Sequence, residues 1–106
     1  MRTRTRKPNH PGGVLRRMYM EPLGLTVTAL AAHMQISRKT LSAIVNERQG
    51  ITPDIALRLS RVFKTTPELW LNMQQAHSLW VASAAHDDWK HIKPIPTDDG
   101  IGRELR

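Results

Sequence analysis

Two short amphipathic segments of the chain, residues 27–34 and 38–46, are separated by only three residues, Gln35, Ile36 and Ser37. In both segments the apolar side chains recur at the spacing of one helix face. They are Val27, Leu30, Ala31, Met34, Leu41, Ile44 and Val45. A connection this short sets two helices at a steep angle, as in the helix-turn-helix motif. This pair of segments constrains the fold more than any other feature of the sequence.

A further helix is predicted before this pair, over about residues 11–23. Its inner face is expected to carry Val14, Leu15 and Met18, which lie three or four residues apart. Gly24 follows directly and is the expected residue that ends the helix, since glycine is favoured just after a helix C-terminus.

The last two helices are predicted from a repeated start signal, Thr-Pro followed by an acidic residue, at residues 52–54 and 66–68. The threonine hydroxyl can cap the helix, and proline is favoured at the first helical position. An acidic side chain is favourable in the first turn, near the positive end of the helix dipole. The second of these helices should reach about Ala84. The apolar residues expected on the two inner faces are Ile55, Leu59, Val62, Phe63, Leu69, Met73, Ala76 and Trp80.

The fold class follows from these five helices. A chain of 106 residues suits one small domain, and no alternating β-rich segment or internal repeat interrupts the helical pattern. We therefore predict an all-α, five-helix domain over residues 11–85. We expect a flexible basic arm before it, residues 1–10, and an irregular tail after it, residues 86–106.

Several classes of protein are disfavoured by what the sequence lacks. It has no cysteine, so a disulfide framework and a thiolate zinc site are excluded. Its basic start lacks the apolar core of a signal peptide, and no apolar run is long enough to span a membrane. We expect a cytoplasmic protein that does not bind a membrane.

The positive charge of the chain is concentrated in its first half. The net charge is +7; residues 1–50 hold nine Lys and Arg against two acidic residues, whereas residues 51–106 hold seven of each. Such asymmetry indicates a polyanionic partner, most often nucleic acid, with a membrane surface as the other possibility. The simpler interpretation is a solvated basic surface that keeps the protein soluble.

The predicted helix over residues 38–46 starts with two cations, Arg38 and Lys39, directly after the capping residue Ser37. Cations are unfavourable at a helix N-terminus by a few tenths of a kcal/mol each. In a helix-turn-helix, however, this end of the second helix touches base edges in the major groove. A good pairing with guanine discriminates against a wrong base by about 1–3 kcal/mol, which outweighs the dipole cost. The expected base contacts are Arg38, Lys39, Thr40 and Ala43.

Phosphate contacts should hold the two helices in register on the duplex without reading its sequence. The residues expected to make them are Thr26, Thr28, Ser37, Ser42, Asn46 and Arg48. The alternative for Arg38 and Lys39 is an ordinary solvated helix face. A DNA partner would also make the protein nucleoid-associated.

Residues 25–75, LTVTALAAHMQISRKTLSAIVNERQGITPDIALRLSRVFKTTPELWLNMQQ, resemble the phage-repressor (XRE) type of helix-turn-helix domain. Together with the lead-in HPGGVLRRMYMEPLGL, residues 10–25, they resemble more narrowly the HigA antitoxins of bacterial toxin–antitoxin pairs. The chain departs from these patterns at Gln35, where the wider superfamily usually has glycine, and at Gly13, where the family usually has an acid. A residue other than glycine in the turn must accept a strained backbone conformation or reshape the turn.

The resemblance implies a lambda-repressor-like fold and a dimeric repressor of its own operon. It also implies that the protein inhibits a partner toxin, a small HigB-like ribonuclease that cuts messenger RNA on the ribosome. Two alternatives stay open. One is a stand-alone helix-turn-helix repressor without a toxin, and the other is a toxin-sequestering module with incidental DNA affinity.

A homodimer is expected because one module of this size reads only a few base pairs, whereas helix-turn-helix repressors bind two half-sites. The neutral second half of the chain carries all three tryptophans. Trp70 is predicted to lie in the core. Trp80, Val81 and Trp89 are the expected contacts with a second copy or another partner, because they lie where the core ends or in the polar tail. The alternative for Trp80 and Val81 is a place in the core.

The sequence does not favour an enzyme, a cofactor or a metal site. It has no nucleophile–base pair, phosphate loop or close carboxylate pair on a framework that could position it. His86 and His91 are spaced unlike known zinc ligands, and the pair Asp98 and Asp99 stands beside a glycine in an expected turn.

Overall fold

The structure, a computed structural model, describes residues 6–96. These residues form five helices and one short 3-10 turn, and they contain no strand. Helix α1 runs without a break through three segments, Pro11–Val14, Leu15–Met20 and Glu21–Leu23. The other elements are α2 (Val27–Met34), α3 (Arg38–Val45), α4 (Pro53–Phe63), α5 (Pro67–Ala85) and the 3-10 turn (Asp88–His91). The predicted all-α, five-helix fold is confirmed.

Every helix after α1 starts at the hydroxyl predicted to cap it. The hydroxyl oxygen accepts a hydrogen bond of 3.0–3.2 Å from the backbone N–H three residues later. The four caps are Thr26, Ser37, Thr52 and Thr66. Gly24 ends α1 in the left-handed conformation, with φ of 65°, as the sequence predicted. The helix boundaries are therefore set locally, by single polar or flexible residues.

The middle of α1 is wider than an α-helix, and this changes which side chains face the core. Residues Leu15–Met20 form a π-helical turn, whose backbone hydrogen bonds join residues five apart. Leu15 and Met20 consequently share one face and are both buried, whereas Met18 is 67% exposed. The predicted inner position of Met18 is wrong, because that prediction assumed the 3.6-residue period of an α-helix.

One continuous apolar core lies between all five helices. Its members are Leu15, Met20, Leu30, Ala31, Met34, Leu41, Ile44, Val45, Ile51, Ile55, Ala56, Leu59 and Trp70. The Trp70 side chain is fully buried, and its Nε1 donates a hydrogen bond of 2.8 Å to Thr65 Oγ1. Tyr19 packs against both Trp70 and Phe63, with ring centroids 5.2 and 4.9 Å apart. The predicted core position of Trp70 is confirmed.

The face that helix α5 turns to the core overlaps only partly with the predicted one. Trp70 is its buried residue, and Met73 is partly buried and packs against the core as predicted. Leu69 is exposed, and Ala76 and Trp80 are partly buried. The predicted inner position of Leu69 is wrong. The core takes the largest side chain of the first turn, Trp70, and Leu69 lies about 100° away around the helix.

The start of α1 rests directly on the end of α3. A Cβ atom placed on Gly12 would overlap the backbone carbonyl of Ile44, so a side chain at this position has no room. His10 caps α1, since its Nδ1 accepts a hydrogen bond of 2.9 Å from the N–H of Gly12. The ring of His10 is buried and meets His77 of α5 edge to face, at 4.9 Å between centroids. His10 thus joins the folded domain, although the sequence analysis placed residue 10 in the arm.

The environment of His10 favours its neutral form. Burial lowers its pKa, the charge of His77 lowers it further, Glu47 raises it, and Lys7 lowers it. A neutral imidazole keeps Nδ1 available as the acceptor that caps α1. The cap and the pKa of His10 therefore depend on each other.

The structure describes only parts of the predicted N-terminal arm and C-terminal tail. After α5 the tail forms the 3-10 turn and then continues without regular structure to residue 96. Residues 1–5 and 97–106, which include the predicted turn at Asp98 and Asp99, lie outside the described residues. Within 6–96, no helix is long and apolar enough to cross a membrane, and no three His, Asp or Glu side chains converge on a possible metal position.

Candidate nucleic-acid interface

The turn between α2 and α3 places the two helices on one surface. Gln35 has φ of 62° and ψ of 44°, the left-handed conformation, so the strain expected of a residue other than glycine is present. Backbone bonds from Gln35 to Ala32 (3.1 Å) and from Ile36 to Ala31 (3.0 Å) close the end of α2. Ile36 packs against the core from the turn. The turn keeps the helix-turn-helix geometry without its usual glycine.

An arginine from α4 also holds this turn. Arg58 Nη1 donates to the carbonyl oxygens of Met34 at 2.9 Å and Gln35 at 3.3 Å, and its Nε donates to Asp54 Oδ2 at 2.9 Å. The sequence analysis did not find Arg58. The spacing of Asp54 and Arg58, four residues apart with the acid first, was the available signal for their ion pair, but nothing in the sequence indicates the contact with the turn.

Helix α3 separates a buried face from an outward face. Leu41, Ile44 and Val45 are buried, while the residues predicted to contact DNA bases lie on the other side. Arg38 and Lys39 are exposed, and Thr40 and Ala43 are partly buried. The fold thus brings the four predicted base-contact residues together at the N-terminal half of α3. Nothing in the structure tests the contacts themselves.

Three hydrogen bonds organise the first turn of α3. Arg38 Nε donates to Thr28 Oγ1 of α2 at 2.9 Å, which leaves the two terminal nitrogens of the guanidinium unused by this bond. The Ser37 hydroxyl accepts from the N–H of Thr40 at 3.0 Å and donates to Thr40 Oγ1 at 2.8 Å. The Thr40 hydroxyl proton therefore remains available to an outside acceptor.

The predicted phosphate-contact residues differ in which hydrogen-bond donors are free of bonds within the protein. The Thr26 and Thr28 hydroxyls act as acceptors within the protein, so each keeps a proton for a phosphate oxygen. The hydroxyl of Ser37 donates to Thr40 and would have to leave it to donate elsewhere. Asn46 Nδ2 donates to the carbonyl and hydroxyl oxygens of Ser42, at 2.9 and 3.3 Å. These phosphate contacts remain predictions.

The charges on this surface are not neutralised within the described residues. One ion pair occurs in that part of the chain, between Arg58 and Asp54. Arg38, Lys39 and Arg48 are all exposed and belong to no ion pair of the described chain. Helix α3 has no acidic residue in its first turn. The cationic first turn of α3 can therefore attract an anion.

The predicted partner contacts lie at the far end of α5 and in the tail. Val81 is 43% exposed and Trp89 is 48% exposed. Trp80 is partly buried beneath the ammonium group of Lys7, which lies 5.8 Å from its ring centroid. Trp89 Nε1 donates to the carbonyl oxygen of His86 at 3.2 Å, within the same turn. The structure brings these side chains to the surface, and their partner stays a prediction.

Comparisons with known proteins agree on one family. A sequence model of the helix-turn-helix family matches residues 17–70. The uncharacterized HTH-type transcriptional regulator YbaQ of Escherichia coli K12 is 42% identical over 80 residues, 76% of this chain and 71% of YbaQ. Antitoxin HigA-1 of Vibrio cholerae is 35% identical over 96 residues, 90% of each protein. A solved structure, antitoxin GraA in complex with its operator, is 34% identical with a TM-score of 0.82, over 92% of this chain and 100% of GraA.

The matched regions contain the features described above. The family match runs from the middle of α1 to Trp70 and includes the turn, α3 and the core. The match to HigA-1 and the superposition on GraA extend over nine tenths of the chain or more. The chain therefore belongs to the helix-turn-helix family, within the group of the HigA and GraA antitoxins.

Proposed function

We propose that this protein is an antitoxin and autorepressor. As a homodimer it binds operator DNA of its own operon, and it neutralises a HigB-like toxin that cuts messenger RNA on the ribosome. The observation that carries the DNA-binding part is the first turn of α3, where exposed cations stand at the end of the helix that disfavours them. Such an arrangement is useful when an anionic partner faces that turn.

In the proposed complex the N-terminal half of α3 enters the major groove. Arg38 reads guanine with its terminal nitrogens while Thr28 holds its Nε, and Lys39, Thr40 and Ala43 contact neighbouring base edges. The phosphate contacts come from Thr26, Thr28, Ser37, Ser42, Asn46 and Arg48. The likeness to GraA, whose solved structure is a complex with its operator, supports this placement. A DNA-bound antitoxin of this kind is cytoplasmic and nucleoid-associated.

Dimerisation is proposed through the distal part of α5 and the tail. Two copies would place their α3 helices on half-sites about one helical turn apart. Trp80, Val81 and Trp89 supply apolar surface away from α3. The DNA-reading surface and this partner surface are thus on different parts of the chain, so DNA and a protein partner can be bound separately.

The toxin partner is proposed from the likeness to antitoxin HigA-1. A second candidate is a stand-alone transcriptional repressor, which the likeness to the regulator YbaQ supports at 42% identity. Co-expression with the reading frame adjacent to the gene separates the two. An antitoxin restores growth that this neighbour inhibits, whereas a stand-alone regulator has no such effect.

The DNA-binding proposal is tested by gel shift on the protein's own promoter fragment against scrambled DNA, across a salt series. Arg38→Ala combined with Lys39→Ala should lower specific affinity by about 30-fold or more, since each good base contact contributes about 1–3 kcal/mol. Toxin neutralisation should persist in this variant because it uses another surface. Equal affinity of the wild type for both fragments would refute the autorepressor function.

The matched control removes two exposed cations outside both proposed surfaces, Arg61→Ala with Lys64→Ala. It changes the net charge by the same amount and should weaken binding to both fragments slightly and equally. A similar loss of specificity in both double variants would mean that general electrostatic attraction, rather than base reading by α3, accounts for the binding.

A further inference from the structure

We propose that Arg58 is a positioning residue for DNA recognition, which holds the turn between α2 and α3 in its left-handed conformation and so sets the angle of α3. The inference rests on the proposed DNA-binding function. It concerns a side chain of α4 that the base and phosphate contacts described above do not include.

The left-handed conformation of the turn has an energetic cost because its central residue is not glycine. Gln35 has φ of 62°, where a side chain meets the neighbouring carbonyl and the conformation is disfavoured. Gly24 occupies the same backbone region after α1 without that penalty. Gln35 is exposed, so core packing of its own side chain does not compensate. Glu47 and Lys64 also adopt this region, so the chain tolerates its cost, and an interaction that favours it at Gln35 lowers that cost.

Arg58 supplies that interaction at the two carbonyls next to the strained residue. Its Nη1 lies 2.9 Å from the Met34 oxygen and 3.3 Å from the Gln35 oxygen. The last carbonyls of a helix have no partner within the helix and carry its negative partial charge. A guanidinium placed there satisfies them and is attracted by the dipole of α2. The bond to Met34 anchors the guanidinium at the end of α2, and rotation of Gln35 away from the left-handed region would move its own carbonyl oxygen off the donor.

The Arg58 guanidinium is also held by an ion pair with Asp54 of the same helix. Asp54, one turn earlier on α4, accepts from Arg58 Nε at 2.9 Å. The arginine side chain is 36% exposed and the carboxylate is 65% exposed, so the ion pair contributes little free energy on its own. Its role in this proposal is geometric, since it orients a planar fork of donors toward the turn. Lysine, a point charge on a flexible stem, cannot bond Asp54 and both carbonyls in the same way.

The experiment is a double-mutant cycle between Arg58→Met and Gln35→Gly, with specific affinity measured on the operator at several salt concentrations. Arg58→Met should weaken specific binding by about tenfold, and Arg58→Lys should recover little of it. Gln35→Gly alone should change affinity by less than about twofold. The combined variant should regain most of the lost affinity, because glycine adopts the left-handed turn without help. Arg61→Met, an exposed position on the same helix, is the control for loss of one charge.

Two results would overturn the proposal. If glycine at position 35 restores nothing and the slope of log affinity against log salt falls by about 0.9, Arg58 binds a phosphate directly. If Arg58→Met only lowers the unfolding temperature and leaves affinity unchanged where the protein is folded, Arg58 merely stabilises the domain.

A readout without DNA keeps this inference separate from the proposed function. Hydrogen exchange of the Gln35 and Ile36 amides, which bond back to α2, reports on the turn alone. Arg58→Met should speed this exchange about tenfold, and Gln35→Gly should reverse the effect. If exchange behaves so while the wild type fails to distinguish its operator from scrambled DNA, the clamp stands and the DNA-binding function fails. Unchanged exchange in Arg58→Met refutes the clamp.

Discussion

Apolar side chains are placed differently in the folded core, which α1–α4 and the first turn of α5 form, and in the distal segment after residue 80. In the first, the core residues from Leu15 to Trp70 are buried against one another. In the second, every residue from 81 to 96 is exposed, including Val81, Trp89 and Ile95. Large apolar side chains on this segment would be covered if it forms the partner surface proposed above. A part that folds on its own core is thus distinct from a part that the proposed function assigns to association.

The largest difference in the free energy of unfolding is expected between two tryptophan substitutions, one in the core and one in the distal segment. Trp70→Ala should lower the free energy of unfolding by about 3–5 kcal/mol, because it empties the centre of the core. Trp89→Ala should change it by less than about 0.5 kcal/mol, as expected for a surface position. Urea denaturation measures both, at a protein concentration low enough to keep the chain monomeric.

The same two positions test whether the distal segment contributes to self-association. By sedimentation, Trp89→Ala should weaken self-association at least several-fold, whereas a conservative Trp89→Phe should retain most of it. Equal destabilisation by the two alanine variants would mean that the tail is part of the folding unit, and the distinction between the regions would be wrong.

A smaller effect is expected within the folded domain, at two neighbouring glycines. Gly12→Ala should cost about 1–3 kcal/mol, since its Cβ meets the rigid backbone carbonyl of Ile44. Gly13→Ala meets only the mobile ends of the Glu47 and Arg17 side chains, and alanine is the better helix former. Thermal unfolding of the two variants should therefore differ clearly, with Gly13→Ala close to the wild type or above it. Equal Tm values would show that α1 does not rest tightly on α3.

The smallest effect is a pH dependence of the folded domain at His10. Burial, followed by the charge of His77, lowers the pKa of His10 in the folded state. In the unfolded chain His10 titrates near 6.5, so the unfolded state binds more protons over the interval between the two values. The free energy of unfolding should therefore fall as the pH decreases through 6.5 and level off below the folded-state pKa.

The variant that tests this origin is His10→Asn, which can still cap α1 but does not titrate in this range. Urea denaturation between pH 5 and pH 8, a range chosen to bracket about 6.5, should show a reduced slope for it. His33→Asn, at an exposed position of α2, should keep the slope of the wild type. An unchanged slope in His10→Asn would assign the pH dependence to other groups.

Local features of the fold were predictable from the sequence, and contacts between distant residues were not. Thr26, Ser37, Thr52 and Thr66 act through a backbone group three residues away, so their pattern is visible in the chain. Arg58 acts on a carbonyl 24 residues earlier, and no local pattern encodes that distance. The outward set of α3 was likewise predictable, because its inward set is strongly periodic.

Other errors came from assuming regular geometry. Met18 was predicted on the inner face of α1 because the spacing of apolar residues does not reveal a π-helical turn. Both Leu69 and Trp70 were predicted to face the core. Two adjacent residues of a helix point in directions about 100° apart, and only Trp70 is buried. His10 was assigned to the arm because its acceptor role depends on a buried contact with α5.

The π-helical turn of α1 has a consequence for how this chain can change length over evolution. Its six residues, Leu15–Met20, hold one residue more than a regular helix needs to bring two side chains to the same face. Removal of a single residue between them would leave the two buried anchors four positions apart, still in line as an α-helix. The gene can therefore lose one codon here while Gly12 and Gly24 keep their places at the two ends of the helix.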